Sequence, residues 1–163
     1  MPSLMRYINI ISRCSAMFRT ERLRDYGLGE NQSSYIVCVC RNPGISQDGL
    51  ARRLFINKSN VTRNLAMLEQ NGYVTRRQSE TDRRVTLVYP TDKAVAALPH
   101  IREVSGEWNA RLTEGFSDDE VRLFREMLAK MSERAAEYGN ISDEVFRDLE
   151  AEPVPTGEGE KKE

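Results

Sequence analysis

Two short helical patterns meet at a tight turn in the middle of the sequence, and this feature most limits the folds open to the chain. Ser46 is a suitable N-cap for the first helix, which carries Leu50, Ala51 and Leu54 on one face. Asn57 then caps a second helix only a few residues later. Two short helices joined this tightly predict a helix-turn-helix, whose second helix is the one that enters a major groove.

The second of these helices separates apolar from polar side chains. Its apolar stripe is Val61, Leu65 and Leu68. At about 100° per residue, the positions facing away from that stripe all carry hydrogen-bonding groups suited to reading base edges. They are Ser59, Asn60, Thr62 and Arg63.

Gly72 closes this helix, and two β-rich runs, residues 73–78 and 85–89, follow it. The polar residues between the runs predict a β-hairpin. Its tip region, residues 76–84, holds four arginines and only two acidic residues. Arginines on such a projection suit a narrow minor groove, where the potential is most negative. A helix-turn-helix followed by a hairpin predicts a winged helix.

Helical patterns also precede the winged helix. Apolar residues recur at helical spacing over residues 4–26, and Gly27 is the expected stop. A shorter helix over residues 31–41 begins with Asn31 as its N-cap. Its inward side chains are predicted to be Tyr35, Ile36 and Val39.

Two longer helices are predicted after the wing. The first spans about residues 91–113, and Pro99 should kink it or restrict its first turns. The second starts at a capping box, in which Ser117 precedes Glu120 by three residues. One side of it carries Val121, Phe124, Leu128 and Met131. A short helix is predicted over residues 141–150 and a disordered tail over residues 152–163. The expected fold class is mainly α with a small β-hairpin wing.

The net charge of −1 conceals an uneven distribution of charge along the 163 residues. Residues 41–93 carry ten basic and five acidic side chains, whereas residues 94–163 carry nine basic and seventeen acidic ones. A basic middle joined to an acidic C-terminal third indicates that one face meets a polyanion and that another does not.

Other classes of protein are disfavoured by what the sequence lacks. No apolar run approaches the roughly 18 residues of a membrane span, and Met1–Thr20 has no secretory signal, so a cytoplasmic protein is expected. The three cysteines lack Cys-x-x-Cys spacing, and the single histidine, His100, cannot complete a zinc or catalytic motif. We therefore expect no enzyme activity, no cofactor and no metal.

The central residues resemble the MarR family of bacterial winged-helix transcriptional regulators. The strongest similarity lies in Ser-Asn-Val-Thr-Arg at 59–63, Leu-Glu-x-x-Gly-Tyr-Val-x-Arg at 68–76 and Asp-Arg-Arg at 82–84. Weaker similarity covers residues 27–54, 90–94 and 113–120. Two positions depart from the family pattern: Ala94 stands where glycine is usual, and Gly49 is unusual inside the third helix, where it costs up to about 1 kcal/mol.

The resemblance implies an effector-responsive repressor that binds a pseudo-palindromic operator in double-stranded DNA as a homodimer. The terminal helices carry more apolar positions than one winged helix can cover, which also favours a dimer. The predicted organisation is an N-terminal dimerisation helix, a DNA-binding lobe, C-terminal dimerisation helices and a short helix with an acidic tail, over residues 1–30, 31–90, 91–138 and 139–163. A winged-helix module that binds an acidic protein partner remains the alternative.

The predicted DNA-contacting residues fall into three groups. The outward face of the second helix is expected to read bases, with a solvated helix face as the alternative. The resemblance implies that Asp82 orients Arg84 by a salt bridge and that Arg84, or secondarily Arg83, enters the minor groove. The expected phosphate contacts, of which Arg76 has a structural alternative, are Ser46, Gln47, Lys58, Arg76 and Arg77, with Arg52 and Arg53 as further candidates.

Two further hypotheses follow from the resemblance. The family's effector cleft would be lined here by Tyr7, Ile11, Tyr35 and Trp108, although core packing explains these residues equally well. Some relatives sense peroxides through a cysteine in the N-terminal helix, which would be Cys14 here, although a small buried hydrophobe is the alternative.

Overall fold

The computed structural model describes residues 3–138, which form six α-helices, one 3-10 turn and three short β-strands. The helices are α1 (Leu4–Arg22), α2 (Gln32–Arg41), α3 (Gln47–Arg53), α4 (Lys58–Gln70), α5 (Asp92–Leu112) and α6 (Asp118–Tyr138). The strands are β1 (Ile45–Ser46), β2 (Val74–Gln78) and β3 (Thr86–Pro90). The helix predicted over residues 141–150 and the tail predicted over residues 152–163 lie outside the described residues.

The N-terminal helix is shorter than its sequence pattern predicts. The chain leaves α1 at Leu23, whose side chain is buried, and forms a separate 3-10 turn over Arg24–Tyr26. Gly27 follows with a φ of 65°, a left-handed conformation that glycine adopts without steric cost. Gly27 therefore ends the 3-10 turn and not the N-terminal helix, so the prediction that it stops this helix is wrong: α1 already ends at Arg22, with Leu23 as its C-cap.

Helix α2 confirms its predicted inward face and corrects its predicted cap. Tyr35, Ile36 and Val39 are all buried. Asn31 occupies the N-cap position, but its φ is 63° and its side chain caps no N–H group of the helix. The Asn31 Oδ1 atom instead lies 3.4 Å from Arg19 Nη2, so this side chain contacts α1 and does not cap α2.

The hairpin is one part of a three-stranded antiparallel sheet with the order β1-β3-β2. Its register pairs Gln78 with Thr86 and Arg76 with Val88. The sequence pattern did not predict β1, because a two-residue strand is too short to show alternation. This strand pairs Ile45 with Val88 and thereby joins the wing to the start of α3.

The winged helix and α5 share one hydrophobic core, to which the winged helix contributes most of the buried side chains and α5 contributes four. The predicted stripe of α4 is fully buried in it, as is Val88 of β3. The fully buried members include Leu23, Leu28, Tyr35, Ile36, Val39, Leu50, Val61, Leu65, Leu68, Tyr73, Val74, Val88, Ala94, Ala97, Ile101 and Val104. Helix α5 runs through Pro99 without interruption.

The chain divides into two compact units between Leu112 and Thr113. In the second unit, the predicted capping box is present: Ser117 N–H donates to Glu120 Oε2 at 2.8 Å, and Glu120 N–H donates to Ser117 Oγ at 3.3 Å. Helix α6 follows, and several of its large apolar side chains are exposed. They are Leu123, Phe124, Met127 and Leu128.

Candidate nucleic-acid interface

Side-chain caps start both helices of the helix-turn-helix. Ser46 Oγ accepts a hydrogen bond from Gly49 N–H at 3.0 Å, and Asn57 Oδ1 accepts one from Asn60 N–H at 2.9 Å. Both predicted caps are therefore confirmed. The Ser46 hydroxyl accepts this bond through a lone pair and keeps its O–H, which it can donate to a phosphate oxygen.

The turn between the two helices contains a strained residue. Phe55 has a φ of 54°, which is uncommon for a bulky side chain. Its N–H donates to the Arg52 carbonyl oxygen, and Ile56 N–H donates to the Ala51 carbonyl oxygen. These two bonds close the end of α3 as a Schellman motif, with phenylalanine in the place that glycine usually takes. The motif fixes the direction in which α4 leaves α3.

The outward face of α4 presents polar side chains to solvent. Ser59, Thr62 and Arg63 are exposed, and Asn60 is half-buried. Arg63 Nη2 donates to Asn60 Oδ1 at 3.3 Å, and Thr62 Oγ1 donates to the Lys58 carbonyl oxygen at 3.0 Å. The buried apolar stripe opposite them anchors the helix. This face therefore offers donors and acceptors on a rigid support, which is the arrangement that base reading requires.

Two of the predicted phosphate contacts are already paired within the chain. Lys58 Nζ lies 2.9 Å from Asp48 Oδ2, with both side chains more than half exposed, so this ion pair exchanges readily with solvent or phosphate. Arg76 makes a stronger contact: its Nε and Nη2 atoms lie 2.9 and 2.6 Å from Glu69 Oε2. Gln47 is half-buried and Arg52 is exposed.

The pairing of Arg76 with Glu69 favours the structural alternative for this arginine. Arg76 N–H also donates to Glu69 Oε1 at 3.1 Å, so the carboxylate holds both the side chain and the backbone of β2. These hydrogen bonds lower the pKa of Glu69 below its usual value. The sequence patterns did not single out Glu69 as a partner, because each pattern describes a helix or a strand by itself.

The wing loop, residues 79–85, is ordered by its own hydrogen bonds. Ser79 N–H donates to the Val85 carbonyl oxygen at 2.8 Å, and Val85 N–H donates to the Asp82 carbonyl oxygen at 2.9 Å. Asp82 Oδ1 accepts from Arg84 N–H at 3.0 Å and lies 3.4 Å from Arg84 Nε. The ion pair that the resemblance implies is thus present in the structure.

Exposed arginines surround this loop. The side chain of Arg84 is 93% exposed, and Arg83 is also exposed. Arg77 extends from β2 with its guanidinium 5.5 Å from the centroid of the Tyr89 ring. A tyrosine ring under a guanidinium restrains its orientation and leaves its N–H groups able to reach a phosphate. The wing therefore carries three exposed arginines, Arg77, Arg83 and Arg84. Among residues 3–138, no carboxylate holds any of the three through two nitrogen atoms, as Glu69 holds Arg76.

Comparison with known proteins matches this chain to transcriptional regulators. The sequence profile of the MarR family matches residues 28–86. YybA, an uncharacterized HTH-type transcriptional regulator of Bacillus subtilis, is 27% identical over 150 residues, which cover 88% of this chain and 99% of YybA. YwoH, another such regulator of Bacillus subtilis, is 31% identical over 121 residues, which cover 74% of this chain and 88% of YwoH. The chain belongs to the MarR family.

A solved structure extends the MarR-family likeness to the whole fold. A MarR-family transcriptional regulator from Listeria monocytogenes, solved with a 26mer DNA, is 26% identical and covers 94% of this chain and 98% of its own, with a TM-score of 0.76. The winged-helix fold class is confirmed. This chain is a MarR-family transcriptional regulator with a DNA-binding fold, and its relatives are regulators rather than enzymes.

The four residues expected to line a MarR-type effector cleft have different surroundings in the structure. Tyr7 and Ile11 are exposed on α1, whereas Tyr35 is buried in the core. Trp108 packs against Phe18 with ring centroids 5.2 Å apart. At a rise of about 1.5 Å per residue, Phe18 lies about 16 Å along α1 from Tyr7.

The three cysteines have different surroundings. Cys38 is buried and Cys40 half-buried, and burial raises the pKa of both thiols, so their reactive thiolate forms are disfavoured. Cys14 is exposed on α1, contrary to the alternative that it is a small buried hydrophobe. Of the three thiols, Cys14 is the one that solvent reaches freely.

The part of the chain that the structure describes contains neither a metal-holding cluster nor a membrane-spanning helix. No group of three or more histidine, cysteine, aspartate or glutamate side chains is placed to hold a metal ion among residues 3–138. Over the same residues, no helix is both long and apolar enough to cross a membrane.

Proposed function

We propose that this MarR-family regulator binds a pseudo-palindromic operator in double-stranded DNA as a homodimer, with one winged helix on each half-site. The observation that carries the proposal is the combination of an exposed polar face on α4 with an ordered, arginine-bearing wing loop on the same lobe. Helix α4 would lie in the major groove, and Arg84, oriented by Asp82, would enter the adjacent minor groove. Arg83 is the second candidate for that role.

Each group of the proposed interface has a separate task. The exposed side chains of α4 read base edges, since a well-formed bidentate contact there discriminates against the wrong base. The contacts that position the lobe on phosphates come from Gln47, Lys58, Arg77 and the Ser46 hydroxyl. We assign Arg76 to the support of the wing instead, because Glu69 holds its guanidinium.

Dimerisation is supported by apolar side chains that each chain leaves exposed. On α1 these are Leu4, Met5, Ile10 and Met17, and on α6 they are Leu123, Phe124, Met127 and Leu128. A two-fold dimer places two recognition helices about one turn of DNA apart, which matches a pseudo-palindromic site. We therefore assign residues 31–90 to DNA binding and the helical segments 1–30 and 91–138 to dimerisation.

The proposal extends to the action of the regulator in the cell. Bound to its operator in the cytoplasm, the dimer represses transcription, and a small effector lowers its affinity by favouring another spacing of the two lobes. The sole tryptophan, Trp108, packs against α1 and supplies a fluorescence probe of effector binding. Oxidation of exposed Cys14 is the alternative signal; operator binding that is unchanged by mild peroxide rules that alternative out.

The experiment that tests DNA binding is the Arg84→Ala variant in a salt series. An operator is first selected from random duplexes, and its affinity is measured by fluorescence anisotropy between low and physiological salt. We expect weaker binding at each salt concentration and a salt slope reduced by about one, since one cationic contact is lost.

The control is Arg102→Ala, which removes an exposed arginine of α5 and should leave the salt slope as it is. An Arg84→Ala slope equal to that of the native chain contradicts the role of the wing. A native chain that selects no sequence, and that unrelated DNA displaces as well as any selected duplex, indicates the protein-interaction module instead.

A further inference from the structure

The hydroxyl of Thr62 is turned back onto its own helix. Its Oγ1 atom donates to the Lys58 carbonyl oxygen at 3.0 Å, one turn earlier in α4. A threonine hydroxyl has a single hydrogen, so this bond leaves none to donate outside the helix. Thr62 is nevertheless exposed on the face that we assign to base reading. Its contribution to that face therefore has to come from another part of the side chain.

The other branch of the Thr62 side chain is a methyl group. The Oγ1 and Cγ2 atoms occupy different staggered positions about the Cα–Cβ bond. Because Oγ1 points to the carbonyl oxygen of the preceding turn, Cγ2 is the branch that is left to face outward. The Oγ1 atom keeps a lone pair that can accept a hydrogen bond from a base. Thr62 thus offers a base either an apolar contact or one acceptor.

The two flanks of the outward face of α4 differ in chemistry. At about 100° per residue, Asn60 and Asn64 lie on one flank, whereas Thr62 and Ala66 lie on the other. The first flank is polar: Asn64 Nδ2 donates to the Asn60 carbonyl oxygen at 2.9 Å, and Arg63 Nη2 donates to Asn60 Oδ1 at 3.3 Å. On the second flank, Ala66 is exposed one turn after Thr62 and is too short to cover the threonine methyl group.

Thymine is the base that presents a methyl group in the major groove, and a threonine methyl group can recognise it by apolar contact. The buried stripe of α4 holds Thr62 on a fixed support, so the contact requires little reordering of the protein. We propose that Thr62 reads a thymine of the operator through its methyl group and not through its hydroxyl. This inference rests on the proposed DNA-binding function of α4.

The test replaces thymine by deoxyuridine in the selected operator, at one position at a time and in both half-sites. Uracil pairs with adenine as thymine does and lacks only the methyl group. Fluorescence anisotropy at physiological salt measures the affinity of the full chain for each duplex. At one position, the replacement should lower this affinity about fourfold for each half-site, which is the value of one buried methyl group.

Two variants separate the methyl group from the hydroxyl. Thr62→Ser keeps the hydroxyl and should bind the thymine operator about fourfold more weakly for each half-site, with no further loss when uracil replaces the contacted thymine. Thr62→Val keeps the methyl group and should bind both operators as the native chain does. Thr20→Ser is the matched control, because Thr20 Oγ1 donates in the same way to the Ala16 carbonyl oxygen, at 2.9 Å on α1. This control should keep the full sensitivity to uracil.

Three results would overturn the inference. The first is an operator in which uracil can replace each thymine without loss of affinity. The second is a loss of affinity in Thr62→Val as large as in Thr62→Ser, which would assign the reading to the hydroxyl oxygen. The third is a Thr62→Ser variant that remains as sensitive to uracil as the native chain. Failure of the proposed function itself is recognised separately, because the native chain would then select no operator, and the inference would fall with it.

Discussion

A side chain at Gly49 has no free space at the start of α3. A Cβ atom there would lie 2.9 Å from Ile45 Cγ1 and 3.2 Å from Ser46 Oγ. Neither neighbour is free to move, because Ser46 Oγ caps α3 through Gly49 N–H and Ile45 is paired with Val88 in the sheet. The glycine thus allows α3 to begin directly against β1.

At the residue scale we predict that Gly49→Ala destabilises the protein. In an exposed helix this change would raise the free energy of unfolding by about 1 kcal/mol, but overpacking against Ile45 should lower it by about 1–3 kcal/mol here. Urea unfolding measures the difference. Ala96→Gly, at an exposed position of α5, is the control for helix propensity alone and should cost about 1 kcal/mol. A Gly49→Ala variant more stable than the native chain would show that α3 has room for the methyl group.

At the scale of elements, the Glu69–Arg76 ion pair connects the last turn of α4 to β2. The direction in which this ion pair makes folding stability depend on pH follows from the pKa of Glu69. Since the pKa of Glu69 in the folded chain lies below its usual value of 4.5, its stabilisation is complete above that pH. The stabilisation is lost as the pH falls through the lower, folded-state pKa.

We therefore predict that the stability difference between the native chain and Glu69→Gln is largest at neutral pH and shrinks as the pH falls below the usual carboxyl pKa of 4.5. The reason is that a protonated carboxyl no longer attracts the Arg76 guanidinium. Urea midpoints at several pH values across the acidic range measure this convergence. Glu80→Gln, in the exposed wing loop, should follow the native curve throughout. Parallel curves for Glu69→Gln and the native chain would mean that the charge of Glu69 contributes nothing to stability.

At the scale of the whole molecule, the exposed apolar surface of α6 is the feature that calls for a partner. Leu123 and Met127 are each more than half exposed and lie one turn apart, with Phe124 beside them. These apolar side chains contribute hydrophobic stabilisation only when another surface covers them. Their spacing along one face favours a helix of a second chain as the cover.

We predict that the double variant Leu123→Glu with Met127→Glu shifts the protein from dimer to monomer. Each buried apolar side chain removed from an interface costs about 1.5–3 kcal/mol, and an unpaired carboxylate adds to that loss. Sedimentation equilibrium at micromolar concentration measures the shift. Ala129→Glu, on the opposite face of α6, should remain dimeric. A native chain that sediments as a monomer would contradict the proposed assembly.

Much of the fold could be predicted from the sequence because it depends on contacts within one turn of chain. The caps at Ser46 and Asn57, the capping box at Ser117 and the buried stripe of α4 all involve residues three or four apart, so spacing alone shows them. The exception is Asn31, which occupies the predicted cap position but adopts a left-handed conformation. Its surroundings, including Arg19 of α1, were not visible in the local pattern.

The composition of the candidate interface could also be predicted, but its pairings could not. The polar face of α4 and the arginines of the wing follow from periodicity and turn signals. That Glu69 holds Arg76 and that Tyr89 lies under Arg77 depends on how helices and strands pack. The candidate effector residues illustrate the same limit, since the burial of Tyr35 and the packing of Trp108 against Phe18 depend on how the helices pack.

The sequence by itself therefore determined the order of the six helices and the two hairpin strands, the caps at Ser46, Asn57 and Ser117, the winged-helix class and the residues that face outward on α4. Only the tertiary structure decided that β1 joins the sheet, that Gly49 is required by a close contact and that Arg76 supports the wing. The reason is physical: backbone periodicity and capping are set by neighbours along the chain, whereas ion pairs, close contacts and unsatisfied groups depend on which distant segments the core brings together.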